Sequence, residues 1–133
     1  MSAERATYLD SSAIVKLAVA EAESAALRRY LRRRRILVSS ALARAEVARA
    51  LLPFGEQAVR RGREVLSGLE LIRVSDRILA AAGALLPADL CTLDAIHLAT
   101  ALDLGADLAR LVTYDDRLRD AAGAVGCPAA APS

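Results

Sequence analysis

The stretch ATYLDSSAIVKL, residues 6–17, joins a short apolar run to an acid and then to a helical pattern. Residues 7–9 predict a short buried strand, and Asp10 follows that strand directly. Ser11 or Ser12 can cap a helix that continues to about residue 20. A predicted strand therefore ends in a carboxylate at the point where a helix begins.

The same order of features recurs near the other end of the chain, in RLVTYDDRLRD, residues 110–120. Residues 111–113 predict a second such strand, Asp115 and Asp116 come after it, and a helix is predicted over residues 116–122. One acid after a strand is ordinary. Because acids follow predicted strands at two places in this chain, a common explanation for them is needed.

Short apolar strands alternate with helices along the rest of the chain. Further strands are predicted over residues 36–38, 71–74 and 124–127. Further helices are predicted over residues 21–33, 41–52 (capped by Ser39 or Ser40), 55–67, 75–86 and 92–105, the last closed by Gly105. This alternation predicts an α/β fold with a mostly parallel sheet. In such sheets ligands bind outside the carboxyl ends of the strands, where Asp10 and Asp115 are predicted to lie.

Length and composition limit the remaining possibilities. With 133 residues the chain is expected to form one domain, residues 1–133, with a core over about 7–127 and a carboxy-terminal segment, 128–133, that frays. Hydrophobic residues make up 55% of the chain, but no run of about 18 apolar residues occurs, so no membrane-spanning helix is expected. The polar start, residues 1–5, lacks an apolar signal region, which predicts a cytoplasmic location.

Cysteine and histidine usage argues against thiol and imidazole metal sites. Cys91 and Cys127 form no CxxC pair and have no histidines at zinc spacing, so neither a disulfide nor a zinc site is expected. His97 is the single histidine, which excludes any site that needs two.

Arginine is concentrated in RRYLRRRR, residues 28–35, and all but one of the 18 basic residues are arginine. Two interpretations of this cluster stay open. It can be a solvated helix end, because cations are favourable near a helix C-terminus. It can also contact phosphate or a partner protein, because the guanidinium fork matches phosphate oxygens.

Three acids and one acidic pair form the candidate site, and each has a structural alternative. Asp10 can simply cap a helix. Asp94 lies in a first helical turn, where the helix dipole favours a carboxylate, but its helix is apolar nearly all round and a buried unpaired carboxylate is costly. Glu46 lies on an apolar stripe with Leu42 and Ala50, although an i,i+3 ion pair with Arg49 is the alternative.

The acidic pair leaves one assignment open. Either Asp115 or Asp116 can cap the last helix while the other points into the site, and we assign the site position to Asp115, which is nearer the strand end. Ser12 and Thr113 can hydrogen-bond the carboxylates or a bound water, or can serve capping and sheet packing. His97 follows Asp94 by three residues on the same helix side and is either a supporting donor or a core histidine.

Together the four acids predict a cation site. Carboxylates that converge on one sheet edge repel one another and raise their own pKa values, and a cation relieves that repulsion. Oxygen ligands without histidine or thiolate suit Mg²⁺ or Mn²⁺. Such ions activate water and stabilise a phosphodiester transition state, so the acids predict a metal-dependent nuclease or phosphoryl-transfer enzyme. The chain has no GxSxG turn, Walker loop or GxGxxG stretch to support another chemistry.

Four segments in this order resemble the PIN domain, and most closely the VapC-type toxins of bacterial toxin–antitoxin pairs. The segments are YLDSSAIVKL (8–17), ALARAEVARAL (41–51), LDAIHLATAL (93–102) and LVTYDDRL (111–118), and the likeness spans about residues 7–127. It implies a PIN-like, Rossmann-like three-layer α/β/α sandwich. It also implies a Mg²⁺-dependent endoribonuclease, in which Mn²⁺ can substitute.

The resemblance carries over residue by residue. The family's first acid falls on Asp10, its helix glutamate on Glu46, its third acid on Asp94 and its last acid on Asp115, with Asp116 next to it. Asp10 and Asp94 are implied as direct metal ligands, and Glu46 and Asp115 as acids that complete the metal shell. The family also implies a homodimer, an RNA substrate and a cognate antitoxin that covers the acidic groove.

Other functions remain as alternatives. A PIN nuclease of RNA maturation usually carries extra segments, for which 133 residues leave little room. An aspartyl-phosphate phosphatase needs Asp-x-Asp after the first strand, where this chain has Asp10-Ser11-Ser12. A non-catalytic RNA- or partner-binding domain has no reason to keep four mutually repelling acids.

Overall fold

A computed structural model describes residues 4–133, and residues 1–3 of the polar amino terminus lie outside the described part of the chain. Five strands form one sheet: β1 (Ala6–Leu9), β2 (Leu37–Ser40), β3 (Glu70–Ile72), β4 (Leu108–Val112) and β5 (Ala129–Ala130). All neighbouring strands pair in parallel, in the order β3-β2-β1-β4-β5. The predicted parallel α/β sheet is confirmed.

Seven α-helices connect and cover the strands. They are α1 (Ser11–Ala18), α2 (Ser24–Leu31), α3 (Ala43–Leu51), α4 (Glu56–Ser67), α5 (Asp76–Ala84), α6 (Thr92–Asp103) and α7 (Asp116–Ala124). Two short 3₁₀ turns follow α3 and α6, at Leu52–Phe54 and Gly105–Asp107. Gly105 has φ 55°, a left-handed conformation that suits glycine just past a helix end.

Alternation along the central strands separates two helical layers. Leu9 and Val112 are fully buried in a core that also contains residues of α1, α2, α3 and α4. Tyr8 and Leu111, their neighbours in the chain, are fully buried in a second core with residues of α6 and α7. Successive side chains of a strand point to opposite faces of the sheet, so the two cores lie on opposite sides of it. The predicted three-layer α/β/α sandwich is confirmed.

The strand order places a switch point between β1 and β4. From β1 the chain proceeds outwards to β2 and β3, and it then returns to the other side of β1 to add β4 and β5. The segments that leave β1 and β4 therefore diverge from neighbouring strand ends. Ligands in open α/β sheets bind in the crevice at such a point.

The carboxy-terminal end of the chain differs from the prediction. Residues 124–127 do not form a strand, because Ala124 completes α7 and Gly126, with φ 72°, turns the chain. The fifth strand lies instead at residues 129–130, where Pro128 O accepts from Leu111 N and Ala130 O accepts from Thr113 N. These bonds to β4 tie down a segment that was predicted to fray.

The structure decides between the predicted helix caps. Asp10, which the sequence offered as an alternative cap, and not Ser11 or Ser12, is the N-cap of α1, because its side chain accepts from Ala13 N. Ser39 and Ser40 lie within β2 and do not cap α3, although Ser40 Oγ accepts from Leu42 N at 3.1 Å. Within residues 4–133, no helix is long and apolar enough to cross a lipid bilayer.

Helices α3 and α4 pack closely at Gly62. A Cβ added there would lie 2.5 Å from Leu51 Cδ1 and 3.1 Å from Val47 Cγ1, and both of those side chains are fully buried. Gly83 of α5 has no heavy atom within 4 Å of the same added position. Alanine at Gly62 would therefore change both close packing and helix propensity, whereas alanine at Gly83 would change helix propensity alone.

We expect Gly62→Ala to lower the free energy of unfolding by about 1 kcal/mol, because overpacking outweighs the gain in helix propensity. Gly83→Ala is expected to raise it by about 0.5 kcal/mol. Urea denaturation of both variants measures the difference. Equal increases in the free energy of unfolding of the two variants would mean that the Leu51 side chain moves to admit the added methyl group without destabilising the protein.

Candidate metal centre

Asp10 is buried between β1 and β4, with only 3% of its surface exposed. Its Oδ1 accepts from Ser12 Oγ at 2.6 Å and from Ala13 N at 3.0 Å, and its Oδ2 accepts from Thr113 Oγ1 at 2.5 Å. Burial raises the pKa of Asp10, although the hydrogen bonds from Ser12, Thr113 and Ala13 act in the opposite direction. Asp10 thus caps α1 and faces the site at the same time.

Two hydroxyl groups hold the segments after β1 and β4 together. Ser12 Oγ donates to Asp10 and accepts from Tyr114 N at 3.0 Å. Thr113 Oγ1 donates to Asp10 and accepts from Asp115 N at 3.1 Å. The predicted support of the carboxylates by Ser12 and Thr113 is present for Asp10, and both hydroxyls also accept from backbone amides of the loop after β4.

Glu46 is half-buried in the first turn of α3, and polar side chains from α1 and α6 bind it. Its Oε1 accepts from Ser11 Oγ at 2.6 Å and from His97 Nε2 at 2.6 Å. Burial by itself raises the pKa of Glu46, but these two hydrogen bonds outweigh burial and hold it below its ordinary value. Among residues 4–133 the side-chain partners of Glu46 are Ser11 and His97, and no ion pair joins it to Arg49, so the alternative pairing with Arg49 is wrong.

His97 is itself part of a buried chain of hydrogen bonds. Its ring is 1% exposed, and Nδ1 lies 2.7 Å from the hydroxyl of Tyr8, which is fully buried. Because an ionised carboxylate only accepts, Nε2 donates to Glu46, and in the neutral ring Nδ1 accepts from Tyr8. His97 is therefore both a satisfied core histidine and a donor to a candidate site acid.

Asp94 differs from the other three acids. It lies in the first turn of α6, and within the described residues its carboxylate takes part in no side-chain hydrogen bond or ion pair. Its pKa is raised to about 6, chiefly by burial and also by the charges of Asp115, Asp10 and Glu46, against an opposing effect of His97. The helix dipole alone does not explain this residue, because the dipole favours ionisation.

Asp115 and Asp116 divide their roles differently from the prediction. Asp115 is the N-cap of α7, with Oδ1 accepting from Arg117 N at 2.9 Å and from Leu118 N at 3.3 Å. The same carboxylate is the largest charge contribution to the raised pKa of Asp94. Asp116 is exposed and forms an ion pair with Arg119. One residue, Asp115, both caps the helix and faces the acids, so a division of these tasks between the pair is wrong.

The donor set fits a hard cation that keeps its own water. Asp10, Asp94 and Asp115 are close enough for the charges of two of them to raise the pKa of the third. Among residues 4–133, however, no three acidic, histidine or cysteine side chains are gathered closely enough to enclose an ion. Mg²⁺ needs no such enclosure, since it usually retains several waters and binds through one or two carboxylates plus phosphate oxygens.

Sequence patterns missed two contributors to this site. Ser11 was considered only as a helix cap, but its hydroxyl donates to Glu46. Tyr8 was counted only as a strand residue, but its hydroxyl donates to His97. A helix cap and a core aromatic look the same in sequence whether or not they touch a site, so no local signal identifies them.

The rim of the site carries the chain's one lysine. Lys16 Nζ lies 4.8 Å from the centre of the Tyr114 ring and 2.9 Å from Glu23 Oε1. Lys16 and Tyr114, with Ser12 and Glu46, line an open groove beside the acids. Both cysteines are free thiols, with Cys91 exposed and Cys127 buried.

Comparison with known proteins agrees with this architecture. The PIN domain family model matches residues 7–124. The chain therefore belongs to the PIN-domain family, and within it to the VapC-type proteins. It is 66% identical to ribonuclease VapC46 of Mycobacterium tuberculosis strain H37Rv, over 96% of this chain and 98% of that protein.

More distant relatives extend the comparison. Ribonuclease VapC35 of the same strain is 40% identical over 94% of this chain and 96% of its own length. The crystal structure of Mycobacterium tuberculosis VapC20, a sarcin-ricin loop cleaving toxin, superposes with a TM-score of 0.74 at 16% identity, over 86% of this chain and 94% of that one. The likeness to VapC20 shows the shared fold.

We expect Asp94→Asn to stabilise the protein in the presence of a chelator at pH 7.5. A folded-state pKa of about 6, against an ordinary 3.8, means that ionised Asp94 opposes folding above pH 6 and ceases to do so below about pH 4. The corresponding free energy is about 1–2 kcal/mol after allowance for solvent screening.

Chemical denaturation at pH 7.5 and at pH 4.5 tests this expectation. The gain is expected to be full at pH 7.5 and to shrink at the lower pH, where Asp94 is mostly protonated in the folded chain. A loss of stability at pH 7.5 would show instead that the ionised Asp94 carboxylate stabilises the N-terminus of α6 through the helix dipole.

Proposed function

We propose that this chain is the endoribonuclease toxin of a toxin–antitoxin pair, and that it hydrolyses RNA phosphodiester bonds with Mg²⁺, for which Mn²⁺ can substitute. The observation that carries the proposal is the half-buried carboxylate of Asp94, next to Asp10 and Asp115 at the switch point of the sheet. Relatives named as ribonucleases, one of them 66% identical to this chain, support it.

A bound divalent ion would lower the pKa of a coordinated water and neutralise charge on the phosphate. Asp94 and Asp10 are proposed to hold that ion. Asp94 offers a carboxylate without another side-chain partner among the described residues, and Asp10 is oriented by Ser12 and Thr113. Asp115 adds negative charge beside Asp94 and keeps Oδ1 on the amides of α7.

Glu46 is proposed to complete the shell through water. Its Oε1 is held by Ser11 and His97, which keeps the side chain ionised and fixed in direction. An ionised carboxylate in that position can accept a proton from a water molecule. Asp116 is left out of the proposed site, because it is exposed and paired with Arg119.

The proposed partners follow from the same assignment. A VapC-type toxin acts on RNA and is neutralised by a VapB-type antitoxin, and we propose both for this chain. The homodimer, the cytoplasmic location and the single-domain organisation stay predictions from the sequence. A nuclease of RNA maturation remains the alternative function, and it would share the same acids.

Cleavage of total cellular RNA by purified protein, freed of any antitoxin, tests the proposal. Discrete fragments are expected with Mg²⁺ or Mn²⁺ and none with chelator. Asp94→Asn is expected to slow cleavage by about 100-fold or more, because it removes a charge that positions the ion. Asp103→Asn is the matched control on the same helix, since Asp103 pairs at the surface with Arg77.

RNA cleavage that persists both with chelator and in the Asp94→Asn variant would contradict the proposal that these acids form the active site. Cleavage lost equally in Asp94→Asn and Asp103→Asn would indicate damage to α6 and would not support a role for Asp94. Mapping the fragment ends would identify the RNA target and would separate a toxin from a maturation enzyme.

Asp115 and Asp116 offer a second matched pair. Asp115→Asn is expected to weaken Mn²⁺ binding by about 10-fold or more, and Asp116→Asn to leave it unchanged. Asparagine still caps a helix, so the Asp115 variant is expected to fold normally. Titration calorimetry with Mn²⁺ measures both, and a larger effect at Asp116 would reverse the assignment.

A further inference from the structure

The arginine cluster identified in the sequence is largely exposed, and one carboxylate lies beside it, because Glu4 Oε1 accepts from the backbone N of Arg35 at 3.1 Å. Five of its six arginines are exposed. One of the five, Arg28, donates to Leu17 O at 3.5 Å, and we call the other four, Arg29, Arg32, Arg33 and Arg35, the arginine patch. Within residues 4–133 no ion pair joins any of them to a carboxylate. Elsewhere on the surface Arg77 and Arg119 are paired with Asp103 and Asp116.

Helix termination explains only part of the patch. Arg29 lies in the last turn of α2 and Arg32 is its C-cap, whereas Arg33 and Arg35 lie beyond the helix. The favourable effect of the helix dipole on cations falls off within the last turn. Like charges held together without partners oppose folding, so the patch calls for a ligand that compensates for them.

The patch lies at the edge of the sheet opposite the acids. It directly precedes β2, and Ile36 O, next to Arg35, accepts from Thr7 N at the start of β1. Asp10 follows the other end of β1. Four strand residues span about 13 Å, so one phosphate cannot reach both the arginine patch and the acids.

Nucleic acid fits the patch better than a protein partner does. Guanidinium groups bind phosphate oxygens through paired donors, and an RNA backbone presents phosphates at regular spacing. Protein interfaces need buried aromatic or aliphatic anchors at their centre. The surroundings of the patch offer little of this kind. The ring of Tyr30 is covered by the guanidinium of Arg34, which lies 3.7 Å from the ring centre, and the exposed apolar side chain next to the patch, Ile36, is only 37% exposed. The large exposed apolar side chains Leu52 and Phe54 lie on the turn after α3.

We propose that the arginine patch is a second RNA-binding surface, which contacts the sugar–phosphate backbone of the substrate away from the bond that is cut. This inference rests on the proposed ribonuclease function. It implies that the substrate reaches from the acids at the carboxyl edge to the amino edge of the sheet. A folded RNA meets that requirement, while a dinucleotide or a very short single strand does not.

The experiment measures RNA binding without cleavage. Asp94→Asn protein, with bulk transfer RNA as the probe of folded RNA, is titrated over a range of salt concentrations. The patch variant Arg32→Gln/Arg33→Gln is compared with Arg60→Gln/Arg63→Gln on α4, which removes the same charge from another exposed surface. All of these side chains are exposed, and melting curves of both variants verify that they fold.

The patch variant is expected to bind more weakly and to show a salt slope shallower by about 1.4–1.8, because each lost phosphate contact removes about 0.7–0.9 from that slope. The α4 variant is expected to keep most of the slope. Equal losses in both variants would overturn the proposal in favour of a general effect of net charge. An unchanged slope in the patch variant would overturn it as well.

Two further arms separate the other outcomes. Poly-glutamate in place of RNA tests an acidic protein segment, and a patch variant that loses poly-glutamate binding but keeps RNA binding would assign the surface to a protein. Cleavage by the unmodified acidic site is measured in parallel. Metal-dependent cleavage with an unchanged salt slope would refute only the patch, whereas neither binding nor cleavage of any RNA would refute both the patch and the ribonuclease function.

Discussion

The burial of Asp10 between the two central strands is the constraint on which the rest of this site depends. A carboxylate with 3% exposure needs hydrogen-bond donors, and it receives them from Ser12, Thr113 and the amide of Ala13. Ser12 and Thr113 also accept backbone amides from the loop after β4. The bonds that satisfy the acid therefore also lock the two loops that diverge at the switch point.

At this edge of the sheet the pKa of Glu46 is lowered and the pKa of the neighbouring Asp94 is raised. Glu46 has two strong donors, so its pKa lies below the ordinary value despite burial. Asp94 has no such donor within residues 4–133, and burial together with the charges of Asp115 and Asp10 raises its pKa to about 6. Hydrogen bonding decides the first case, and desolvation with charge repulsion decides the second. A bound cation would offset the charge repulsion that raises the pKa of Asp94. It would also further fix the Glu46 side chain, which its two hydrogen bonds already hold.

The two charged regions of the protein lie at opposite ends of the parallel strands. Carboxylates collect where the strands end, and the arginine patch lies where β2 begins. A parallel sheet makes this separation possible, because all of its strands end at one edge and begin at the other. For a polyanionic substrate, the arrangement separates backbone attraction from the acidic region where the chemistry would occur, so the two do not cancel.

Residue order by itself determined the alternation of strands and helices, the acids after two strands and the resemblance to the PIN family, because these depend on local periodicity and on the spacing of motifs. It did not determine that Asp115 both caps α7 and faces Asp94, or that Tyr8 and Ser11 reach the site through His97 and Glu46. It also placed the fifth strand too early, because a two-residue strand has almost no local signal and exists only through its bonds to β4. Tertiary structure decided these features, since each depends on contacts between segments that are far apart in the chain.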